Sequence, residues 1–379
     1  MPFFSLYVLG LGGSYVDIGL ISAIGSITRI IPALIGGYLA DSIGRKKIVY
    51  TMTFLMGLNE LVNAFAPSYH YLFLSAALGA IIGGIREPAF SALMADSTKP
   101  DSRALAFAIL TVIPPLFGLL SPYTMGLLID NYGTVPAIRG GYMFVFTMYL
   151  IATFLRYRYL EETLVIDENR VKKSMSKISR ELIDDFKLTL RSLPRELYVF
   201  MGLDLALMAS WAIMDPYIVV YATETIGLSS SEWGITITLM TVTNLIVRPI
   251  SANASDRYGR LKFIRPMQIL YPIVMYAFIL SNNFIEVIIV RVIVAIIMSI
   301  DNPAWQALIV DYSPKEHRGR FNAIMSVFRP LIWSAGTIIG GSLIEQNTTK
   351  TPFHVGISCL LMVAISIILF LKEPDSREE

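Results

Sequence analysis

The sequence predicts an all-α polytopic membrane protein made of two parallel six-helix bundles. Three observations predict this class. Eleven apolar runs have about 20 residues each, a repeat relates the first half of the chain to the second, and Lys and Arg are segregated into alternate loops. Only 16% of the 379 residues are charged, against roughly 25% in a soluble domain.

Each apolar run is long enough to cross a bilayer as a helix, because about 20 residues cover a hydrocarbon core of roughly 30 Å. Helices are favoured over barrel strands, since the runs are twice as long as such a strand needs and lack alternating polarity. The predicted spans are 17–39, 48–66, 71–94, 104–129, 139–158, 198–221, 232–252, 263–281, 284–310, 321–344 and 353–371.

The charged stretch 161–195 interrupts the apolar runs. It is rich in Lys, Arg, Glu and Ser, and apolar residues recur at helical spacing between Ser176 and Leu193. These features predict an amphipathic linker that lies on the membrane surface. The linker would separate an N-terminal bundle, 1–160, from a C-terminal bundle, 196–379.

The distribution of Lys and Arg among the loops sets the orientation of the spans. Of the 31 cationic residues, 24 fall in the loops on one side, whereas the loops on the other side hold only Arg139 and Lys350. Because cytoplasmic loops carry an excess of Lys and Arg, we predict a multi-pass protein of the cell membrane. Its central linker and its C-terminus are expected in the cytoplasm.

The two halves of the chain are related by one constant offset in residue number. The string DSIGRKK at Asp41 returns as DRYGRLK at Asp256, and IREPAFSALMAD over 85–96 falls on IDNPAWQALIVD over 300–311. No gap is needed, and both copies have the same orientation because both motifs fall on the cytoplasmic side. The halves are therefore predicted to be parallel repeats about an axis along the membrane normal.

The repeat also predicts that the first helix of the first copy is truncated. The span 198–221 corresponds to positions that begin before Met1, so MPFFSLYVLG is interpreted as the outer tail of a first span. We expect the natural chain to begin roughly 20 or more residues upstream. The complete fold would then have twelve spans, of which eleven and a stub of the first are present in this chain.

A compact polar loop separates the predicted spans 17–39 and 48–66. A tight turn between antiparallel helices needs a residue that tolerates positive φ, which Gly44 supplies, and Asp41 can attract Arg45. The loop has the pattern G-x-L-A-D-x-x-G-R-K, with a weaker copy in the second half. Its residues are Gly37, Leu39, Asp41, Gly44, Arg45 and Lys46, and those of the copy are Asp256, Gly259 and Arg260.

With this loop, the repeat and the central linker, the sequence resembles the major facilitator superfamily over essentially its whole length. The resemblance implies a secondary active transporter that works by alternating access and holds its substrate at the midplane between the bundles. It also implies that the loop contacts the opposite bundle in the outward-open state and releases it in the inward-open state. The alternative is a loop that only anchors the chain to anionic lipid heads.

Ionisable side chains within the spans are candidates for a substrate or proton site, because a charge near the bilayer centre costs at least about 2.5–3.5 kcal/mol. The repeat places Arg86 and Glu87 at the same depth as Asp301 and Asn302. We expect these four side chains to line a central cavity. The other candidates are Arg29, Glu60, Asp204, Asp215 and Arg329.

Structural roles remain open for several of these residues. Arg86 and Glu87 could form an ion pair within one bundle, and Glu60 could serve only in hydrogen bonding. Arg329 could snorkel toward the interface, and snorkelling is also the simplest role for Arg291 near the outer end of its span.

The sequence contains no signature of an enzyme. No His/Cys cluster has metal-ligand spacing, no glycine-rich phosphate loop follows a strand, and there is no nucleophile elbow. We therefore predict no catalytic residue, no metal, no cofactor and no nucleic-acid partner.

The predicted function is transport of a small-molecule substrate, an organic solute, across the lipid bilayer with protons as the coupling ion. Export of amphipathic compounds is slightly favoured, because Ser121, Pro122 and Gly126 resemble a degraded form of the G-x-x-x-G-P-x-x-G-G pattern of drug/proton antiporters. One alternative is a proton symporter that imports a sugar or an organic anion. Another is a membrane sensor on the same fold that transports nothing. A monomer suffices, because the two repeats complete a cavity.

Overall fold

The computed structural model describes residues 2–99, 109, 113–164, 195–312 and 318–372, except for the side chains of Asp256, Arg318 and Arg320. The predicted linker over 161–195 lies almost entirely outside these residues. The predicted bundle boundaries at 160 and 196 therefore stay predictions.

The described residues form twelve principal α-helices. They are α1 (Phe4–Gly10), α2 (Tyr15–Ile43), α3 (Arg45–Ala64), α4 (His70–Asp96), α5 (Ser121–Tyr132), α6 (Thr134–Tyr159), α7 (Arg195–Met214), α8 (Ser230–Tyr258), α9 (Leu261–Leu280), α10 (Phe284–Tyr312), α11 (Arg318–Gln346) and α12 (Thr351–Phe370). The chain after α7 continues through a 3₁₀ turn at Asp215–Tyr217 and a π-helical turn at Tyr221–Thr225. The predicted all-helical class is confirmed.

The predicted spans coincide with these helices, and α1 corresponds to the predicted stub. Eight of the described helices are long and apolar enough to cross a membrane. The predicted span 104–129 is only partly described: residues 113–117 are helical, and α5 begins after a break in the helix. A turn at 118–120 precedes α5, shortly after Pro114 and Pro115, which lack the N–H groups that a continuous helix needs.

The repeat predicted from the sequence is present in the fold. The offset that carries Asp41 onto Asp256 also carries 15–43, the residues of α2, onto 230–258, the residues of α8. Both helices begin with the same capping box, formed by Ser14 with Asp17 and by Ser229 with Glu232. The helix pairs α2–α4, α3–α4 and α3–α6 pack within the first bundle as α8–α10, α9–α10 and α9–α12 pack within the second.

Two helix pairs join the bundles, α2 with α11 and α5 with α8. At both seams glycine lets the backbones touch, because a Cβ would collide with the facing helix. A Cβ at Gly19 would lie 2.5 Å from Thr337 O, and one at Gly126 would lie 2.3 Å from Ser230 O. The repeat partners Gly234 and Gly341 make the reciprocal contacts, with Pro122 O and Tyr15 O at 2.4 Å.

Two carboxylates add hydrogen bonds across the same seams. Asp130 at the end of α5 accepts from the amides of Ser230 and Ser231 at 2.9 Å, at the first turn of α8. Glu345, its repeat partner in α11, accepts from the amide of Val16 at 3.0 Å, at the first turn of α2. Each carboxylate thus caps a helix of the other bundle, where free amides and the helix dipole favour a negative charge.

These contacts define a closed face of the molecule, at the end where α2 and α8 begin. The opposite end carries the cation-rich loops, and we name it the basic face. Between described residues, the hydrogen bonds that join the bundles lie in the half of the molecule nearer the closed face. Those farthest from this face join Ser334 to Ala23 and Thr238 to Leu119. The two bundles are therefore fastened at one end.

Neutralising both carboxylates should loosen the closed face. Asp130→Asn with Glu345→Gln removes the charged acceptors, and a helix cap is worth about 0.5–2 kcal/mol. A loss of about 1 kcal/mol would change the ratio of open to closed molecules roughly fivefold. Spin labels at Tyr132→Cys and Asn282→Cys, one in each bundle, should then show a larger population at long distance.

The labels require replacement of Cys359, the one cysteine of the chain, by Ser. Glu286→Gln is the matched control, because Glu286 accepts hydrogen bonds only within its own bundle, from Asn282 and Asn283. An unchanged distance distribution in the double variant would show that the glycine seams alone close this face.

Candidate functional site

Three neighbouring cavities lie in a row from the closed face toward the basic face. The upper cavity, of about 380 Å³, lies below the closed face; the middle cavity has about 300 Å³; the lower cavity has about 540 Å³ and extends toward the basic face. Asp215 and Trp333 line both the upper and the middle cavities, and Met298 and Asn302 line both the middle and the lower ones. Adjacent cavities thus share side chains; the upper cavity is lined by both bundles, and the middle one by residues of the C-terminal half.

The middle cavity contains an ion pair between two residues that the sequence singled out. Arg329 donates from Nε to Asp204 Oδ2 at 2.9 Å and from Nη2 to Oδ1 at 3.0 Å, and Trp305 Nε1 also donates to Asp204 at 2.8 Å. Asp204 is buried, so this bidentate pair fixes both side chains. Arg329 does not snorkel, which was the structural alternative for it, because its guanidinium is held inside the bundle.

Asp301 is a buried carboxyl of the middle cavity with no cation beside it. Its side chain is 2% exposed, and Gln268 Nε2 donates to Oδ2 at 2.9 Å. Among the described residues, Oδ1 has no hydrogen-bond partner and no Lys or Arg forms an ion pair with this carboxyl. Asn302, the next residue, is exposed to the cavities. The second half of the repeat therefore provides the predicted polar lining.

The first half contributes a different pair from the expected one. Glu87 pairs with Arg29 at 3.7 Å, and the two side chains are 58% and 53% exposed. Their repeat partners, Asn302 and Asn244, line the lower cavity, so Arg29 and Glu87 occupy the equivalent place across the interface. Arg86 is half-buried, and Glu87 pairs with Arg29 instead of forming the alternative pair with Arg86. Neither Arg86 nor Glu87 is among the lining residues of the three cavities.

Asp215 is exposed where the helix of α7 breaks. Pro216 cannot continue the helical hydrogen bonds, and the resulting 3₁₀ turn places Asp215 at the border of the upper and middle cavities.

Glu60 lies apart from the three cavities. Asn63 donates to it at 3.1 Å within α3, which agrees with the hydrogen-bonding alternative.

The polar loop forms an ion-pair cluster at the basic face. Arg45 donates to Asp41 from Nε and Nη2, at 3.2 and 3.0 Å, and also contacts Asp96 through Nη1. Gly44 has the positive φ that the turn requires, +104°. Glu162 accepts from the amides of Arg45 and Lys46, at 3.2 and 3.0 Å, and so caps α3.

The second copy of the loop repeats this geometry. Arg260 Nε donates to Asp311 at 3.2 Å, which is the repeat equivalent of the Arg45–Asp96 contact, and Gly259 has a φ of +102°. The side chain of Asp256 lies outside the described residues. Gly37 packs near Pro88, with 3.9 Å to the position of a Cβ.

The sequence reasoning missed three contributors. Trp333 lines the upper and middle cavities, Gln268 binds Asp301, and Arg291 is buried instead of snorkelling, with 6% of its surface exposed. The expectation for Arg291 is wrong because the side chain turns inward, between Trp233 and Phe278, whose ring centres both lie 5.8 Å away. The charge of Arg291 inside an apolar run was the available signal.

Comparison with known proteins gives a consistent result. The family model described as Major Facilitator Superfamily matches residues 1–206 and 200–379. An uncharacterised MFS-type transporter, MJ1560, of Methanocaldococcus jannaschii is 22% identical over 98% of this chain and 92% of its own length. Multidrug resistance protein 2 of Bacillus subtilis is 20% identical over 99% of this chain and 91% of its own length.

A solved structure shares the fold. The xylose transporter XylE from E. coli, in an inward-open conformation, superposes with a TM-score of 0.72 and 15% identity, covering 99% of this chain and 91% of that chain.

The buried ion pair of the middle cavity should be more important for stability than the exposed one. Arg329→Gln leaves the Asp204 carboxylate buried without its cation, which costs about 3–5 kcal/mol in comparable pairs. Arg29→Gln breaks an exposed pair, worth about 0–1 kcal/mol. The measurement is the midpoint of heat denaturation of each purified variant in detergent.

Asp204→Asn added to Arg329→Gln should recover part of the loss, because it removes the orphaned charge. Equal midpoints for Arg329→Gln and Arg29→Gln would contradict the assigned difference between the pairs.

Proposed function

The chain belongs to the Major Facilitator Superfamily, and on that premise we propose that it is a proton-coupled transporter of a small organic solute. Transport would proceed by alternating access, with the two bundles rocking about the cavities between them. The row of three cavities, closed at one face by matched contacts of the two repeats, is the observation that carries this proposal.

Proton coupling is assigned to Asp301. Carboxyls that carry protons through membrane proteins face the bundle interior, and Asp301 is buried, borders the middle cavity and has no ion-pair partner among the described residues. Glu87 is the weaker candidate, because it is exposed and already paired with Arg29.

Export of amphipathic compounds is the direction that we favour. The middle cavity is lined by Trp211, Trp305 and Trp333 together with Met208 and Met298, and such flat and adaptable side chains suit apolar rings of varied shape. The name of the Bacillus subtilis relative, a multidrug resistance protein, supports the same direction.

Import of a sugar or an organic anion with protons is the second candidate. It is favoured by Arg29 and Arg248, which are both exposed along the bundle interface, and by Arg291 in the upper cavity.

The basic face is assigned to the cytoplasm, since 24 of 31 cationic residues lie in the loops on that side and cytoplasmic loops carry such an excess. The protein would then span the cell membrane as a monomer with 161–195 and its C-terminus inside.

Flux in proteoliposomes tests the proposed coupling. A panel of labelled amphipathic compounds, sugars and organic acids is screened with and without a pH gradient, and at least one should move only when the gradient is present. Asp301→Asn should abolish this gradient-driven flux and leave exchange without a gradient, because the proton carrier is lost and the cavity is kept.

Glu87→Gln is the matched control and should keep most of the gradient-driven flux. Unchanged flux in Asp301→Asn at equal protein abundance would remove Asp301 from the coupling role. A chain that moves no compound of the panel would contradict the transport proposal itself.

The polar loop is assigned a role in switching between states. Asp41→Asn removes the charge that holds Arg45. We expect the free-energy barrier of the conformational change to rise by roughly 1–2 kcal/mol, so that turnover falls about tenfold, with little change in substrate affinity. The measurement compares the rate of flux with equilibrium binding of the same compound.

Lys47→Gln serves as the control, because Lys47 is exposed in the same loop and would contribute only to lipid anchoring. If the loop only anchors the chain, Lys47→Gln should reduce flux as much as Asp41→Asn does, and this result would contradict the switching role.

A further inference from the structure

Arg291 is a buried cation that forms no ion pair and no hydrogen bond with a described residue, although Asp215 attracts it at longer range. It lies about two turns from the start of α10 and has 6% of its surface exposed. Its Nε and Nη1 atoms are shielded and have no hydrogen-bond acceptor among the described residues. Nη2 also makes no hydrogen bond there and is the nitrogen left accessible, since Arg291 lines the upper cavity. A buried charge in this condition is costly.

The surroundings of Arg291 compensate its charge only in part. The rings of Trp233 and Phe278, with centres 5.8 Å from the guanidinium carbon, attract a cation by roughly 0.5–2 kcal/mol. Trp233 adds a further donor, because its Nε1 is also shielded and has no acceptor in the described part of the chain. The two neighbouring side chains thus present donors and no acceptor.

The upper cavity next to these donors has room for part of a ligand. Its volume is about 380 Å³, within the range of small-molecule sites. Both bundles line it, with Ile18 and Ser22 on one side and Ile237 and Trp333 on the other. Trp333 also lines the middle cavity, so a molecule could extend from one cavity into the next.

We propose that the upper cavity is a subsite for the anionic group of an amphipathic organic acid. Arg291 donates from its accessible Nη2 to a carboxylate or a sulfonate, and the apolar body of the ligand lies along Ile237 and Trp333 toward the middle cavity. An anion supplies acceptors only, which is what this guanidinium lacks. The inference deepens the proposed transport function and rests on it, since it names a substrate class for the same path.

Asp215 is the other charged residue in the lining of this cavity. It lies on the border with the middle cavity and forms no ion pair with Arg291, although both belong to the described residues. A bound anion would share Arg291 with this carboxylate. Removing the charge of Asp215 should therefore leave anion binding as strong as in the unaltered protein, or stronger.

Binding of matched acid and amide probes tests the subsite. Isothermal titration calorimetry of the purified full chain compares 2-naphthoate with 2-naphthamide, and decanoate with decanamide. We expect each acid to bind at least tenfold more tightly than its amide. Arg291→Met should remove this preference, Trp233→Phe should largely keep it because Phe still offers a ring face to the guanidinium, and Asp215→Asn should preserve or increase it.

Lys350→Gln is the matched control, because Lys350 is an exposed cation at the closed face and lines none of the three cavities; it should leave the preference intact. Arg291→Met should denature at the same temperature as the unaltered protein or higher, since it removes an unpaired buried charge. Arg291→Lys keeps a cation and should retain an intermediate preference.

Four results would overturn the inference: no preference for either acid, a preference that survives Arg291→Met, a loss of preference in Asp215→Asn as large as in Arg291→Met, or strong destabilisation by Arg291→Met. Binding needs neither a membrane nor a gradient, so it separates this inference from the proposed function. Acid binding without any flux would contradict transport alone, and flux without acid preference would contradict the subsite alone.

Discussion

The fold depends on the close approach of backbones where the bundles meet at the closed face. Four glycines, related in pairs by the repeat, bring α2 against α11 and α5 against α8. A methyl group at any of them would meet a backbone oxygen at 2.5 Å or less, so any side chain would force the helices apart. Because the bundles are held this tightly at one end, the three cavities lie below that face, and the largest of the three, of about 540 Å³, lies toward the other end. The seams thus explain both the closed face and the row of cavities.

The polar side chains of the cavities lie at positions where the two copies of the repeat differ. The seams, the capping boxes and the Arg–Asp contacts of the polar loops occur twice, as expected for elements that position and move two equal bundles. The cavity residues do not. Trp233 corresponds to Ile18, Arg291 to Ala76, and the carboxyl of Asp301 corresponds to the cation of Arg86. At the positions of Trp233 and Arg291 the first copy has only apolar side chains, so the repeat supplies no matching polar group there.

The helices and the repeat could be predicted from the sequence, because the length of an apolar run and a constant offset are properties of the chain alone. The pairing of polar groups could not. Asp204 and Arg329 are 125 positions apart, and hydropathy says how deep a residue lies but not which way its side chain faces. The same limit explains why a snorkelling Arg291 was expected. Glu162, which caps α3 from beyond α6, gave no signal because its role depends on tertiary placement.

Two arginines of the C-terminal half, Arg329 and Arg291, differ in how their buried charge is compensated. Arg329 holds a bidentate carboxylate, so its charge is compensated within the protein and it can shape the middle cavity in every state of the path. Arg291 has two aromatic faces beside it, and its nearest carboxylate, Asp215, lies beyond ion-pair distance. A folded chain tolerates such a charge only if the remaining contacts, here the seams above it, offset several kcal/mol. The compensation that Arg291 lacks is then available to whatever enters the cavity, and an entering group gains most if it is an anion. The uncompensated charge of Arg291 lowers the stability of the fold, and for the same electrostatic reason it favours the binding of an anion in the cavity.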